Sequence, residues 1–256
     1  MKKLFALLLA LLLMFSFVGC GKNNSGTTAT NPPVAENTPV KTPEATPAAE
    51  TPTVMSYAEY AAAAVDTAVC VETYVQAKQS WWDNKATVYT QTEDGAYFIY
   101  NMACSESDYA LLTEGTKIRV NGFKSEWDGE VEIIDATFEI IDGKFIAQPE
   151  DVTALLGTDT LIDHQNEKVA FKGMTVESTA LYKWDGSGSD GDDLYFNASY
   201  NGQTYTFTVE SYLCDNTTAV YAAVKALKVG DVIDMEGFLY WYEGVNPHIT
   251  AVTPAK

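Results

Sequence analysis

The chain has 256 residues, 46% hydrophobic and 20% charged, with 16 Lys and Arg against 35 Asp and Glu and a net charge of −19. This composition can build a core, which excludes a largely disordered chain. Its acidity counts against a general nucleic-acid binder, and two histidines and four cysteines leave little for a zinc enzyme or a disulfide scaffold.

Residues 1–19 read as a secretory signal. Lys2 and Lys3 precede an apolar run over 4–18 that is short for a membrane span. The run ends in Phe17-Val18-Gly19-Cys20, which resembles the bacterial lipobox, with Phe17 departing from the usual Leu. The resemblance implies that Cys20 is the lipid-modified first residue of the mature chain. The protein is then held on the extracytoplasmic face of the cell membrane by acyl chains, two of which suffice for stable anchoring. Residues 20–54 carry six of the nine prolines among Thr, Ala and Asn, with no hydrophobic period. They read as a disordered tether.

The remainder contains an internal repeat. Residues 112–138 lie over 227–253 without a gap, matching Gly115, Gly122 and Gly129 with Gly230, Gly237 and Gly244. Upstream, Asp94-Gly95 meets Asn201-Gly202, both hairpin signals of the two-residue type. After these turns Phe98, Tyr100 and Met102 meet Tyr205, Phe207 and Val209 at period two, which predicts that they point inward. Each copy reads as three strands, a helix and two strands. The first helix is short, with Ser105 and Asp108 as its cap; the second spans about 217–227 behind Asp215 or Asn216. An extra helix starts at Ser56, with Glu59 completing a capping box.

That order is the order of the OB-fold, a five-stranded Greek-key barrel. The expected class is mainly β: an OB-like domain over 55–147 and a second over 148–256, meeting near 142–167. The runs over 115–138 and 228–238 look like the fourth and fifth strands of bacterial OB domains. The whole chain resembles bacterial lipoproteins with tandem OB-fold-like domains.

Aromatic side chains are the best functional clue. Trp81 and Trp82 fall between strands one and two of the first copy, and Trp127 between its strands four and five. Trp184 and Trp241 take the corresponding loops of the second copy, with Tyr242 aligned to Trp127. These loops rim the ligand face of OB-folds. Tyr97 has the parity opposite to Phe98 and is expected to face outward with Ile99. Together Trp81, Trp82, Tyr97, Trp127, Trp184, Trp241 and Tyr242 are candidate ligand-binding residues, through stacking. The same rings could instead close the barrel ends or pack the two domains together. Each copy carries six Lys and Arg against sixteen Asp and Glu, so phosphate is expected to be repelled.

The acidic loop over 185–193 departs from a calcium-binding EF-hand at Asp190 and Phe196 and reads as a solvated loop. His164 and His248 are far apart, and no catalytic motif, metal spacing or phosphate loop appears. Of Cys70, Cys104 and Cys214, at least one is unpaired; Cys70 shares a strand face with Glu72 and Tyr74 and is expected to be partly exposed. The expected function is a non-catalytic binding module, without cofactor or metal, for a glycan or peptide. The alternative is an envelope structural or assembly protein using the same aromatics for protein contacts. Nucleic acid is the less favoured partner.

Overall fold

The structure, a computed structural model, describes residues 53–255. The signal, Cys20 and nearly all of the tether lie outside the described residues. The first element, α1 (Tyr57–Ala62), begins with the expected capping box: Ser56 Oγ accepts from Glu59 N, and the Glu59 carboxylate accepts from Ser56 N at 2.8 Å.

Strands β1 (Ala68–Lys78), β2 (Lys85–Gln91) and β3 (Ala96–Ala103), helix α2 (Glu106–Leu111), then β4 (Thr116–Trp127) and β5 (Glu130–Lys144) form a closed barrel in the order β1-β2-β3-β5-β4. Closure depends on the parallel contact of β3 with β5, where Phe98 pairs with Glu132. A connection carrying β6 (Glu150–Asp151) and two short 3-10 turns leads to β7 (Lys168–Val176), β8 (Leu181–Tyr182), β9 (Leu194–Tyr200), β10 (Gln203–Val209), α3 (Ala219–Ala226), β11 (Val232–Phe238) and β12 (His248–Pro254). Here β7, β11, β12, β10 and β9 follow in order, and β9 returns to β7 through Thr175 and Ser199. The two copies therefore have the same strand order, which is that of the OB-fold, and the protein is a tandem of OB-like barrels.

The matched glycines have physical causes. A Cβ on Gly237 would lie 2.2 Å from the His248 carbonyl oxygen, and one on Gly122 would lie 2.8 Å from that of Ile134. At both positions strands four and five approach too closely for a side chain, and both pairings shift register there. Each barrel is filled by its inward residues. In the first these include Val71, Val88, Ile99, Val120 and Ile133, closed at one end by Tyr60 of α1. In the second they include Phe171, Phe196, Phe207 and Ile249, with Val220, Tyr221 and Val224 of α3 packed against them.

Several expectations are corrected. Tyr97 and Ile99 point into the barrel core, Tyr97 at 2% exposure with its ring edge-on to Tyr57 and Tyr60, and Phe98 and Tyr100 point out. The parity inverts because β3 carries one extra residue: Ala86 pairs with Met102, but Val88 pairs with Ile99. Asn101 within this bulge has φ 49°, and Met102 regains the inward side beyond it. Tyr97 therefore has no face for a ligand. The Asp94-Gly95 turn belongs to a four-residue loop over 92–95, closed by Thr92 N donating to the Gly95 carbonyl; Asn201-Gly202 is the two-residue turn expected. The cap of α3 is Thr218, and Asp215 instead accepts from Thr217 N at 2.9 Å in the preceding turn. Cys70 is buried, because the segment before α1 crosses it and Met55 N donates to its carbonyl. All three thiols are free.

Candidate functional site

The outer face of β2 and β3 in the first barrel is the usual OB ligand face, and the second barrel covers most of it. Tyr89 of β2 stacks on Phe238 with centroids 4.4 Å apart, and Phe98 stands edge-on to Tyr240 at 5.3 Å. Tyr240 in turn stacks on His248 at 4.3 Å, and His248 Nδ1 lies 2.8 Å from the Tyr89 hydroxyl. Burial of His248 pushes its pKa down to about 3, so the imidazole is neutral. The hydroxyl of Tyr89 satisfies a nitrogen that would otherwise be buried without a partner.

Beside this seam a groove of about 530 Å³ remains open between the barrels. Trp82, Tyr100 and Trp127 of the first barrel and Tyr212, Tyr240 and Tyr242 of the second form its walls. Polar groups of Gln79, Asn101, Glu210, Asn246 and His248 lie between them. The walls are held across the barrels by Ser80 N donating to the Tyr212 carbonyl at 2.7 Å, by Gln79 Nε2 donating to Glu210 at 3.2 Å, and by Glu243 N donating to the Asp128 carbonyl at 2.8 Å. The last bond joins the two four–five loops and brings the Trp127 and Tyr242 rings to 5.1 Å. Among the described residues no Lys or Arg lines the groove. Glu210 and Asp193 do, and burial raises the Glu210 carboxyl to about 7.

A second depression of about 690 Å³ shares Tyr195, Tyr242 and Asn246 with the first. It runs over the outward face of β9 and β10 (Asn197 and Thr206) to Trp184. This face corresponds to the one covered in the first barrel, and it is open. Of the seven exposed aromatic side chains among the described residues, six line these two joined depressions: Trp82, Tyr100, Trp127, Tyr212, Tyr242 and Trp184. Phe123 is the exception.

The sequence candidates thus separate. Trp82 (55% exposed), Trp127 (53%), Trp184 (78%) and Tyr242 come together on this track. Trp81 and Trp241 are packing residues. Trp81 Nε1 donates to the Cys104 carbonyl at 2.9 Å, and Trp241 lies over Gly129 while its N–H donates to Glu130 at 2.9 Å. Tyr100, Tyr195, Tyr212 and Tyr240 were not anticipated. Correct parity on β3 would have found Tyr100; no local signal marks Tyr212.

The acidic loop offers little to a cation, since its carboxylates are engaged. Asp190 pairs with Lys225 at 2.5 Å and accepts from Asn216 at 3.1 Å, and Asp193 accepts from Ser211 N at 2.8 Å. Glu150, His164 and Glu167 form one further cluster, with His164 Nδ1 2.8 Å from Glu167 and 3.7 Å from Glu150. It lies away from the groove, on the connection between the barrels.

No family model and no curated protein matches the sequence. Solved structures share the architecture at low similarity. One is described as a murine DNA-binding protein bound with double-stranded DNA, 9% identical over 73% of this chain and 96% of that one, with a TM-score of 0.37. A second is the HINa domain of Ifi202 in complex with double-stranded DNA, 13% identical over 74% of this chain and all of that one, at 0.34. A third is a Replication Protein A heterotrimer bound to single-stranded DNA, 13% identical over 74% of this chain and 49% of that one, at 0.32. The likeness is one of fold. The expected glycan or peptide ligand, the envelope assembly role and the low standing of nucleic acid are corrected against these three structures, each of which is described with DNA.

Proposed function

We propose that the protein is a non-catalytic binding module whose groove and adjoining barrel face hold the unstacked bases of a single-stranded nucleic acid. The observation that supports this reading is the gathering of six exposed rings onto one joined track. Every base has a flat face, and stacking on an aromatic side chain contributes about 1–3 kcal/mol per base. Asn101, Asn246 and Glu210 offer donors and acceptors to base edges within the same groove.

Charge sets the mode of binding. With no cation lining the groove, affinity comes from rings and not from counterion release. Titration of tryptophan emission with a short single strand, repeated over a range of salt, tests this. The expected result is saturable quenching whose affinity is flat or rises with salt, as screening relieves repulsion between phosphates and the acidic protein. Absence of saturable binding to any single strand would overturn the reading, and a steep loss with salt would place the contact on a basic surface elsewhere.

We further propose that the mature protein is attached to the membrane through a lipid on Cys20, on the sequence grounds above. Cys20→Ala should move the protein from the detergent phase to the aqueous phase; unchanged partition would remove the anchor.

A further inference from the structure

On β5, Glu130 is fully buried at the seam. Its Oε2 accepts from Trp241 N at 2.9 Å and from Gln165 Nε2 at 3.2 Å, whereas Oε1 has no partner. Beside it, buried Asn166 donates from Nδ2 to the Val131 carbonyl at 3.1 Å, and its Oδ1 also has no partner. A buried carboxylate oxygen without a donor is costly at low dielectric.

A proton on Glu130 removes the charge that Oε1, buried without a donor, would otherwise hold. Glu132, two residues along the same outward face, is also buried and makes no hydrogen bond among those described. The titratable groups that face the two carboxyls are the Tyr60 hydroxyl of α1, Tyr89 of β2 and Tyr240 of the second barrel. Lys124 of β4 pairs with Ile133 on β5, and its Nζ is taken by the carbonyls of Tyr60, Ala61 and Ala63 at 3.1, 2.9 and 2.8 Å. Asp163 and Glu167, which flank Asn166 along the chain, face Tyr57 and add only negative charge.

We infer that the seam between the barrels is closed by protonated carboxyls of Glu130 and Glu132, and that loss of these protons loosens the seam. Burial raises Glu130 to about 8 and Glu132 to about 7, in keeping with this geometry. Both values stand above the ordinary carboxylate value, so the stabilisation is complete in acid and is lost as pH rises toward about 8. The inference does not depend on what the groove binds.

The test is a pH series of melting temperature on the wild type and on Glu130→Gln, whose carboxamide donates at every pH. The wild type should lose more than about 5 °C between pH 6 and 9, and the variant should keep most of it. Amide exchange at Trp241 and Asn166 should quicken over the same range in the wild type alone. Equal pH dependence in the two proteins would overturn the inference. Should the variant fail to fold, carbon NMR of the Glu130 carboxyl in the wild type decides: titration near the ordinary carboxylate value refutes it, and titration above neutrality supports it.

Discussion

Trp82 in a one–two loop and Trp241 in a four–five loop are the same residue type, and the fold gives them opposite roles. Trp82 presents more than half its surface to the groove, so Trp82→Ala should leave the melting temperature nearly unchanged. It should weaken single-strand binding about 5- to 100-fold, measured by emission quenching through the remaining tryptophans. Trp241 packs on Gly129 and donates to Glu130 from its main chain. Trp241→Ala should cost roughly 2–4 kcal/mol in chemical denaturation, since a ring is removed from an interface that cannot fully collapse. Tyr89→Phe isolates a different term. It leaves His248 Nδ1 buried without its partner and should cost about 1–3 kcal/mol while the stack on Phe238 persists.

At the scale of the element, one bulge decides which residues of β3 see solvent. Alternation predicts the outward set correctly only if the strand is regular, and the extra residue at Tyr100–Asn101 shifts the phase. Met102 does point inward as read from the sequence, but extending its parity back to Phe98 crosses the bulge. Asn101 holds φ 49° there, a conformation that asparagine tolerates and a β-branched residue does not. Asn101→Val should therefore cost roughly 1–3 kcal/mol and should also lower binding by moving the Tyr100 ring; equal stability of the variant would show that the bulge can relax. The repeat glycines were legible because their cause is local to two paired strands. Tyr212 was not legible, because its place in the groove depends on Ser80 of the other barrel.

Across the whole molecule, the second barrel covers the outer face of β2 and β3 in the first and leaves its own corresponding face open, so the exposed rings form a path from Trp82 to Trp184. A path of this kind distinguishes strand lengths. Trp184→Ala should leave the affinity for a di- or trinucleotide unchanged and lower that for a longer strand by about tenfold, within the range of one stacking contact. Equal losses for short and long strands would confine the ligand to the central groove. The seam that separates the two faces holds the buried carboxyls, so the pH response of the seam is a property of the pair of barrels and not of either alone.

The sequence by itself determined the two copies, their strand and helix order, the capping box of α1, the Ser105 cap of α2 and the net acidity, because periodicity, turn chemistry and charge are properties of neighbouring residues. It also marked tryptophan as the residue type of interest and put four of the final track residues among its candidates: Trp82, Trp127, Trp184 and Tyr242. Only the tertiary structure decided which aromatics face water and which acids do not. Glu130, Glu132 and Tyr89 sit on outward positions of ordinary amphipathic strands, where a chain alone would place them in solvent. They are buried because a second barrel docks against that face, and no local pattern encodes which outer face of a closed barrel will meet another.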